Sequence, residues 1–255
     1  MLTPSNQTFV WLGRSDGQEE TAEPMADASP AIDGTALDTA ALEVADTTRA
    51  LRRPALTAST RPREAELLRV ATRLFRERGF HATSMQDLAE ALAMNRGSLY
   101  HYIDSKDDLL WTIVIDALDR LRDAVAPALA ADRPGATPAT RLRSAIAAHL
   151  AFAAENGDEM SLVQIELRAL SPERRRALIA KRDAYEALWR GAIEDAIADG
   201  TLRMTDVRLA GIAILSACNW FTQWYRPDGP LSVERIASAF GDLYLCEPTN
   251  DMEAT

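Results

Sequence analysis

Between Thr83 and Lys106 lie two short helical patterns separated by only a few residues, and this arrangement constrains the fold more than anything else in the chain. Met85, Leu88, Ala89 and Leu92 recur at helical spacing and form one apolar face. Thr83 and Ser84 just before them are N-cap types, whose side-chain oxygens accept orphan backbone N–H groups. Ala91-Leu92-Ala93-Met94 is left to hold a turn, and Asn95 is a good N-cap for the next helix. In that helix Leu99 and Ile103, four apart, anchor to a core, which leaves Arg96, Gly97, Ser98, Tyr100 and Tyr102 facing outward. Ser105 and Asp108 have capping-box spacing and open a third helix, with Lys106 in its first turn. A helix, a tight turn and a second helix is the pattern of a helix-turn-helix, whose second helix enters the DNA major groove.

The residue types suit that use. Gly97 has no side chain, so the backbone there can approach a phosphate closely. Arginine, serine and tyrosine bond phosphates or base edges. The free N–H groups at the start of the third helix, together with Lys106, suit an anionic phosphate. The candidate DNA-binding set is therefore Thr83, Ser84, Asn95, Arg96, Gly97, Ser98, Tyr100, Tyr102 and Lys106. Spacing alone is also compatible with three short helices in any α-helical core.

Four segments then occur in order: Ala71-Thr-Arg-Leu-Phe-Arg-Glu-Arg-Gly-Phe80, Thr83-Ser-Met-Gln-Asp-Leu-Ala89, Gly97-Ser-Leu-Tyr-His-Tyr102 and Ser105-Lys-Asp-Asp-Leu109. In sequence and spacing, over about fifty residues, they resemble the tetracycline-repressor (TetR) family of bacterial regulators. Ala93 departs from the family pattern, which has a turn glycine there; in a left-handed conformation the alanine costs roughly 1 kcal/mol. Ile103 replaces an aromatic, which affects packing only. The resemblance implies an all-α fold, with a three-helix DNA-binding domain followed by a helical ligand-binding and dimerisation domain, about nine helices in all. It also implies a homodimer joined through its last two helices as a four-helix bundle.

Net charge is −10, which looks wrong for a DNA binder until it is divided along the chain. Residues 1–51 carry 2 basic and 9 acidic side chains, residues 52–108 carry 10 and 8, and residues 109–255 carry 16 and 21. Only the helix-turn-helix segment is positive, and local charge is what phosphate contacts feel. Arg52, Arg53, Arg61 and Arg63 form either a basic arm or a solvated linker.

Residues 1–60 have no sustained period, are rich in Ala, Thr, Ser, Asp, Glu and Pro, and read as a disordered extension. The DNA-binding unit occupies 61–108, the second domain 109–248 and a tail 249–255. The first helix runs from about Pro62 to Arg78, and a fourth starts near Ser105 and ends or kinks at Pro127. Further helices are expected over 137–155, 158–170, 171–199 (burying Leu178, Tyr185, Leu188, Trp189, Ile193 and Ile197), 205–225 and 232–245. Residues 207–225 are apolar on nearly every face and so need cover on all sides, which a second copy of the chain supplies economically.

The C-terminal half resembles a branch of the family through Glu166-Leu-Arg168-Ala-Leu-Ser-Pro172, Asn219-Trp220 and Trp224-Tyr-Arg-Pro-Asp-Gly229. That branch implies an acyl-coenzyme A effector that releases the protein from an inverted-repeat operator. On this reading Phe152, Leu162, Trp189, Trp220 and Trp224 line an apolar slot, and Arg168, Gln223 and cations such as Arg174, Arg175, Lys181 and Arg182 serve its polar end. For each aromatic, plain core packing is the competing reading.

Cys218 and Cys246 read as reduced core residues, and a cytoplasmic setting is expected. No apolar run is long enough to span a membrane, so no membrane partner is expected. His81, His101 and His149 have no metal-ligand spacing, and no nucleophile-elbow, phosphate-loop or dinucleotide pattern occurs. Catalysis, a metal and a cofactor are not expected. The alternatives that remain are a DNA-binding regulator answering to another hydrophobic ligand or to a protein partner, and a helical scaffold that does not bind DNA.

Overall fold

The computed structural model describes residues 61–131, 135–165 and 169–246. The proposed extension 1–60, Arg52, Arg53, the Arg61 side chain, Arg168 and the tail 249–255 lie outside the described residues. Among the described residues, nine helices follow one another: α1 (Arg61–Arg78), α2 (Met85–Ala91), α3 (Arg96–Leu99), α4 (Lys106–Leu129), α5 (Pro138–Glu155), α6 (Gly157–Ile165), α7 (Pro172–Ala198), α8 (Val207–Trp224) and α9 (Val233–Tyr244). Extended pairing among them is limited to one isolated antiparallel bridge, Leu202 with Leu245, which ties the end of α7 to the end of α9.

Helix starts follow from local chemistry. Ser84, Asn95, Ser105, Thr137, Ser171, Asp206 and Ser232 each accept a backbone N–H three residues on. Each cap is worth about 1 kcal/mol. At the turn Ala93 is left-handed, with φ 51°, so an alanine occupies a conformation that glycine would adopt without cost. Pro127 does not stop α4, which runs on to Leu129. The missing N–H removes one bond in the last turn only, so the helix ends soon after instead of kinking. The helix expected over 158–170 ends at Ile165, with residues 166–168 undescribed.

Two apolar cores result. The first gathers Leu67, Leu74, Phe75, Leu88, Leu99, Ile103 and the first half of α4 through Leu118, then closes with Leu162 and Val163 of α6 and with Leu170, Ala177 and Leu178. The second starts at Leu121 on the same helix and takes in Leu142, Ile146, Leu150, Trp189, Ile193, Ile214, Leu215, Cys218 and Phe221. Thus α4 belongs to both cores, and the first extends beyond the three N-terminal helices. Ion pairs sew α7 to α4: Arg174 meets Asp108, and Lys181 Nζ lies 2.5 Å from Asp119. Arg141 joins α5 to α7 through Asp195 at 2.6 Å, and Arg143 joins α5 to α9 through Asp242 at 2.6 Å.

Two packing expectations are corrected. Leu188 is exposed, because the buried side of α7 runs through Leu178, Tyr185, Trp189 and Ile193. Cys218 is buried, but Cys246 lies past the end of α9, half-exposed, with its thiol against the Gly200 carbonyl. No described helix is long and apolar enough to cross a membrane.

Candidate functional site

The outward face of the N-terminal unit is built on α2 and α3. Ser84 and Asp87 complete a capping box: Asp87 N donates to Ser84 Oγ at 3.1 Å and Ser84 N donates to Asp87 Oδ2 at 2.7 Å. The Ser84 hydroxyl, then its backbone N–H, hold the Asp87 carboxyl below its usual range. Leu99 and Ile103 are buried, which fixes α3 against the core and turns Asn95, Arg96, Gly97 and Tyr100 outward. Asn95 caps α3 by accepting Ser98 N at 2.7 Å. Arg96 Nη2 donates to Tyr100 Oη at 3.2 Å, and its guanidinium stands 5.7 Å from the Tyr100 ring centre. The two largest outward side chains of α3 are thus held together before any partner arrives. A Cβ at Gly97 would meet only Asn95 Oδ1, at 3.4 Å, so the fold itself does not require glycine there.

Three members of the expected set do other work. Thr83 is buried, and its hydroxyl donates to the carbonyls of Gly79 at 2.9 Å and Leu74 at 3.3 Å, so it closes the end of α1 instead of facing outward. Tyr102 packs against the first core. Lys106 Nζ donates to the carbonyls of Phe80 and Thr83, both at 2.8 Å, and to that of His81 at 3.4 Å, and it sits 4.4 Å from the Phe80 ring centre. Its half-buried ammonium satisfies the carbonyls of the α1–α2 loop. Arg63 is no free arm either: its Nη2 donates to the Leu92 carbonyl at 3.1 Å, closing the end of α2.

The expected apolar slot is not assembled. Leu162 lies in the first core and Trp189 in the second. Phe152 is half-buried at the edge, 5.5 Å beneath the Arg120 guanidinium. Trp220, Gln223 and Trp224 lie on an open face of α8, with Trp220 52% and Trp224 43% exposed. The expected polar end is already engaged within the chain: Arg174 by Asp108, Arg175 by the Leu170 carbonyl, Lys181 by Asp119 and Arg182 by the Val163 carbonyl.

What the interior does hold is a small cavity of about 10 Å³ between α4, α6, α7 and α8, lined by Gln164, Arg182, Tyr185 and Asn219 together with Leu118, Leu121, Met160 and Val163. That is room for about one water molecule. Beside it, His149 Nδ1 lies 3.0 Å from Tyr185 Oη. Burial pushes the His149 imidazole down to about 4, the Arg182 guanidinium down to about 10 and the Cys218 thiol up to about 12. Burial also raises the Tyr185 phenol well above its ordinary value. Tyr185 and His149 sit at regular stripe positions and read from sequence as core, so the only hint in the sequence was polar atoms on an otherwise apolar stripe. A wider groove of about 280 Å³ lies between α7 and α8, with Ile193, Val207 and Gly211 among its lining and Glu186, Arg190, Glu194 and Arg208 supplying charge of both signs. The open face of α8 and α9 also carries Leu209 and Leu243, 55% and 63% exposed.

Two family profiles match the chain. The one described as "Bacterial regulatory proteins, tetR family" covers residues 67–111, and the one described as "Tetracyclin repressor-like, C-terminal domain" covers residues 135–246. The chain is similar to the HTH-type transcriptional repressor KstR2 of Rhodococcus jostii (strain RHA1), 33% identical over 191 residues, which span 72% of this chain and 89% of the relative. Among solved structures it is similar to the TetR family transcriptional regulator PfmR from Thermus thermophilus, with 40% identity, TM-score 0.63, and 69% of this chain and 95% of that one covered. It is also similar to AibR in complex with isovaleryl coenzyme A and operator DNA, with 28% identity, TM-score 0.64, and 71% and 97% covered.

Proposed function

Because the chain belongs to the tetracycline-repressor family of bacterial regulatory proteins, we propose that it is a homodimeric transcriptional repressor that leaves an inverted-repeat operator when it binds an acyl-coenzyme A thioester. The observation that carries the DNA reading is the outward face of α3. Leu99 and Ile103 fix the helix, the Arg96–Tyr100 pair stands clear of the protein, and Gly97 leaves the backbone open to close approach. Asn95, Ser84 and the half-buried Ser98 border the same face and complete the candidate contact set. Leu209, Trp220, Trp224 and Leu243 support a dimer, since a patch of large apolar side chains on the last two helices calls for a partner surface. Two-fold symmetry would place two copies of α3 about one turn of DNA apart or a little more.

The effector reading is supported by the likeness to AibR, whose structure holds both isovaleryl coenzyme A and operator DNA. Release is a shift between two dimer shapes, and the ligand moves it only by the difference in its affinity for the two. The test is fluorescence anisotropy of the full-length protein on labelled DNA from upstream of its own gene, at fixed salt, with and without a panel of acyl-coenzyme A thioesters. Tight binding relieved by one thioester is the expected result. Tight binding that no thioester disturbs overturns the effector reading and keeps the DNA one, and absence of specific binding overturns both.

A further inference from the structure

Acid and base are divided unevenly along this chain, and the division falls at the entrance to the DNA-reading unit. Residues 1–51 carry nine acidic and two basic side chains, a net charge of −7, whereas residues 52–108 carry eight acidic and ten basic. The family profile begins at residue 67, so the acidic stretch lies outside what the family pattern accounts for. The point where it joins the reading unit is fixed by one contact. Helix α1 begins at Arg61, and two residues on, Arg63 Nη2 donates to the Leu92 carbonyl at 3.1 Å, at the end of α2. Asn95 and Arg96, which open α3, follow Leu92 by three and four residues. The chain therefore enters beside the start of the reading helix. Fifteen residues separate Asp46, the last acid of the stretch, from Arg61. A chain of that length spans up to about 50 Å, against about 6 Å for α3 itself.

The cations that can receive it are open. Arg63 is paired with Glu66, Arg76 with Asp158 and Arg78 with Asp87. Arg96 on α3, and Arg69 and Arg73 four apart on α1, are exposed and have no acidic partner among the described residues. We propose that the acidic stretch 16–46 is an internal competitor of DNA, whose carboxylates occupy Arg96 at the start of α3 and Arg69 and Arg73 on α1 and must be displaced before an operator binds. The proposal rests on the reading of α3 as the DNA-contacting helix. Carboxylates spaced along a chain offer a guanidinium the same paired oxygen acceptors that a phosphate backbone offers. A segment that binds with a Kd of about 0.1 mM when free is present at about 1 mM when tethered, and so divides the apparent operator affinity by about ten. Salt weakens this contact as it weakens the one with DNA, so the block fades as ionic strength rises.

The test has one arm with DNA and one without. Operator anisotropy compares the full-length parent with a full-length variant whose nine acidic residues in 1–51 become amides, Asn for Asp and Gln for Glu. The second arm titrates a labelled peptide of residues 16–46 with the same two proteins, and with the amide variant carrying Arg96→Gln as well. The amide variant is expected to hold the operator about tenfold more tightly than the parent at about 50 mM salt, and about equally at about 500 mM. The peptide is expected to bind the amide variant, to bind the parent at least about fivefold more weakly because the parent's own stretch is in place, and to lose affinity with Arg96→Gln. Tighter operator binding by the amide variant without any peptide binding means that the stretch only repels DNA from a distance, which overturns the docking. Peptide binding undiminished by Arg96→Gln puts the contact off α3 and overturns the seat. Equal operator binding by the two proteins at low salt, or weaker binding by the amide variant, overturns the competitor while the DNA reading stands. If neither protein binds an operator, the DNA reading fails and the competitor with it.

Discussion

At the scale of single residues, Lys106 and Thr83 both bond inward to backbone carbonyls near the end of α1. Three carbonyls of the α1–α2 loop face the Lys106 ammonium, and charge-assisted bonds of that kind are worth more than neutral ones. Lys106→Met should therefore lower the stability of the DNA-free protein by about 2 kcal/mol, read by urea unfolding. Unchanged stability combined with uniformly weaker DNA binding would restore the phosphate contact to it. The caps at Ser84, Asn95 and Ser105 were readable in the sequence, because a cap depends on a side chain and an N–H three residues away. Thr83 also reaches Leu74, nine positions back, and the Lys106 partners Phe80 and Thr83 lie 26 and 23 positions away, and no local rule reaches that far.

At the scale of helices, the stripes of α1, α4 and α5 were legible, because period alone decides which side is apolar. The open face of α8 was legible only as an excess of apolar residues. Which of them stay outside is decided by how α5, α6 and α7 lie against it, so Trp220 and Trp224, read as pocket walls, are exposed, and Tyr185, read as core, lines a cavity. His149 and Tyr185 join α5 to α7 and set a pH dependence. In the unfolded chain the imidazole takes up its proton near pH 6.5, whereas burial keeps it neutral in the folded protein down to about 4. The unfolded state thus binds more protons across that window, and stability falls as pH drops through it, by up to about 1.4 kcal/mol per unit. Unfolding at pH 7 and pH 5 should show a smaller drop for His149→Gln than for the parent, and equal drops would mean that His149 is not held neutral.

At the scale of the whole molecule, the proposed dimer rests on the exposed apolar side chains of α8 and α9. Trp220→Glu should leave the protomer folded, since that side chain is half in water already, yet give a monomer by sedimentation and weaken operator binding at least tenfold. A dimer that persists in Trp220→Glu would move the two-fold axis elsewhere. Within each copy, the first core borrows Leu162, Val163, Leu170, Ala177 and Leu178 from sequence that follows α4 by 33 residues or more. The reading head is therefore no cassette. Recombination or design that swaps one C-terminal half for another at residue 108 would strip the head of one wall of its own core. A working chimera has to be spliced inside α4, between Leu118 and Leu121, and its α6–α7 corner has to be re-fitted to a foreign α1.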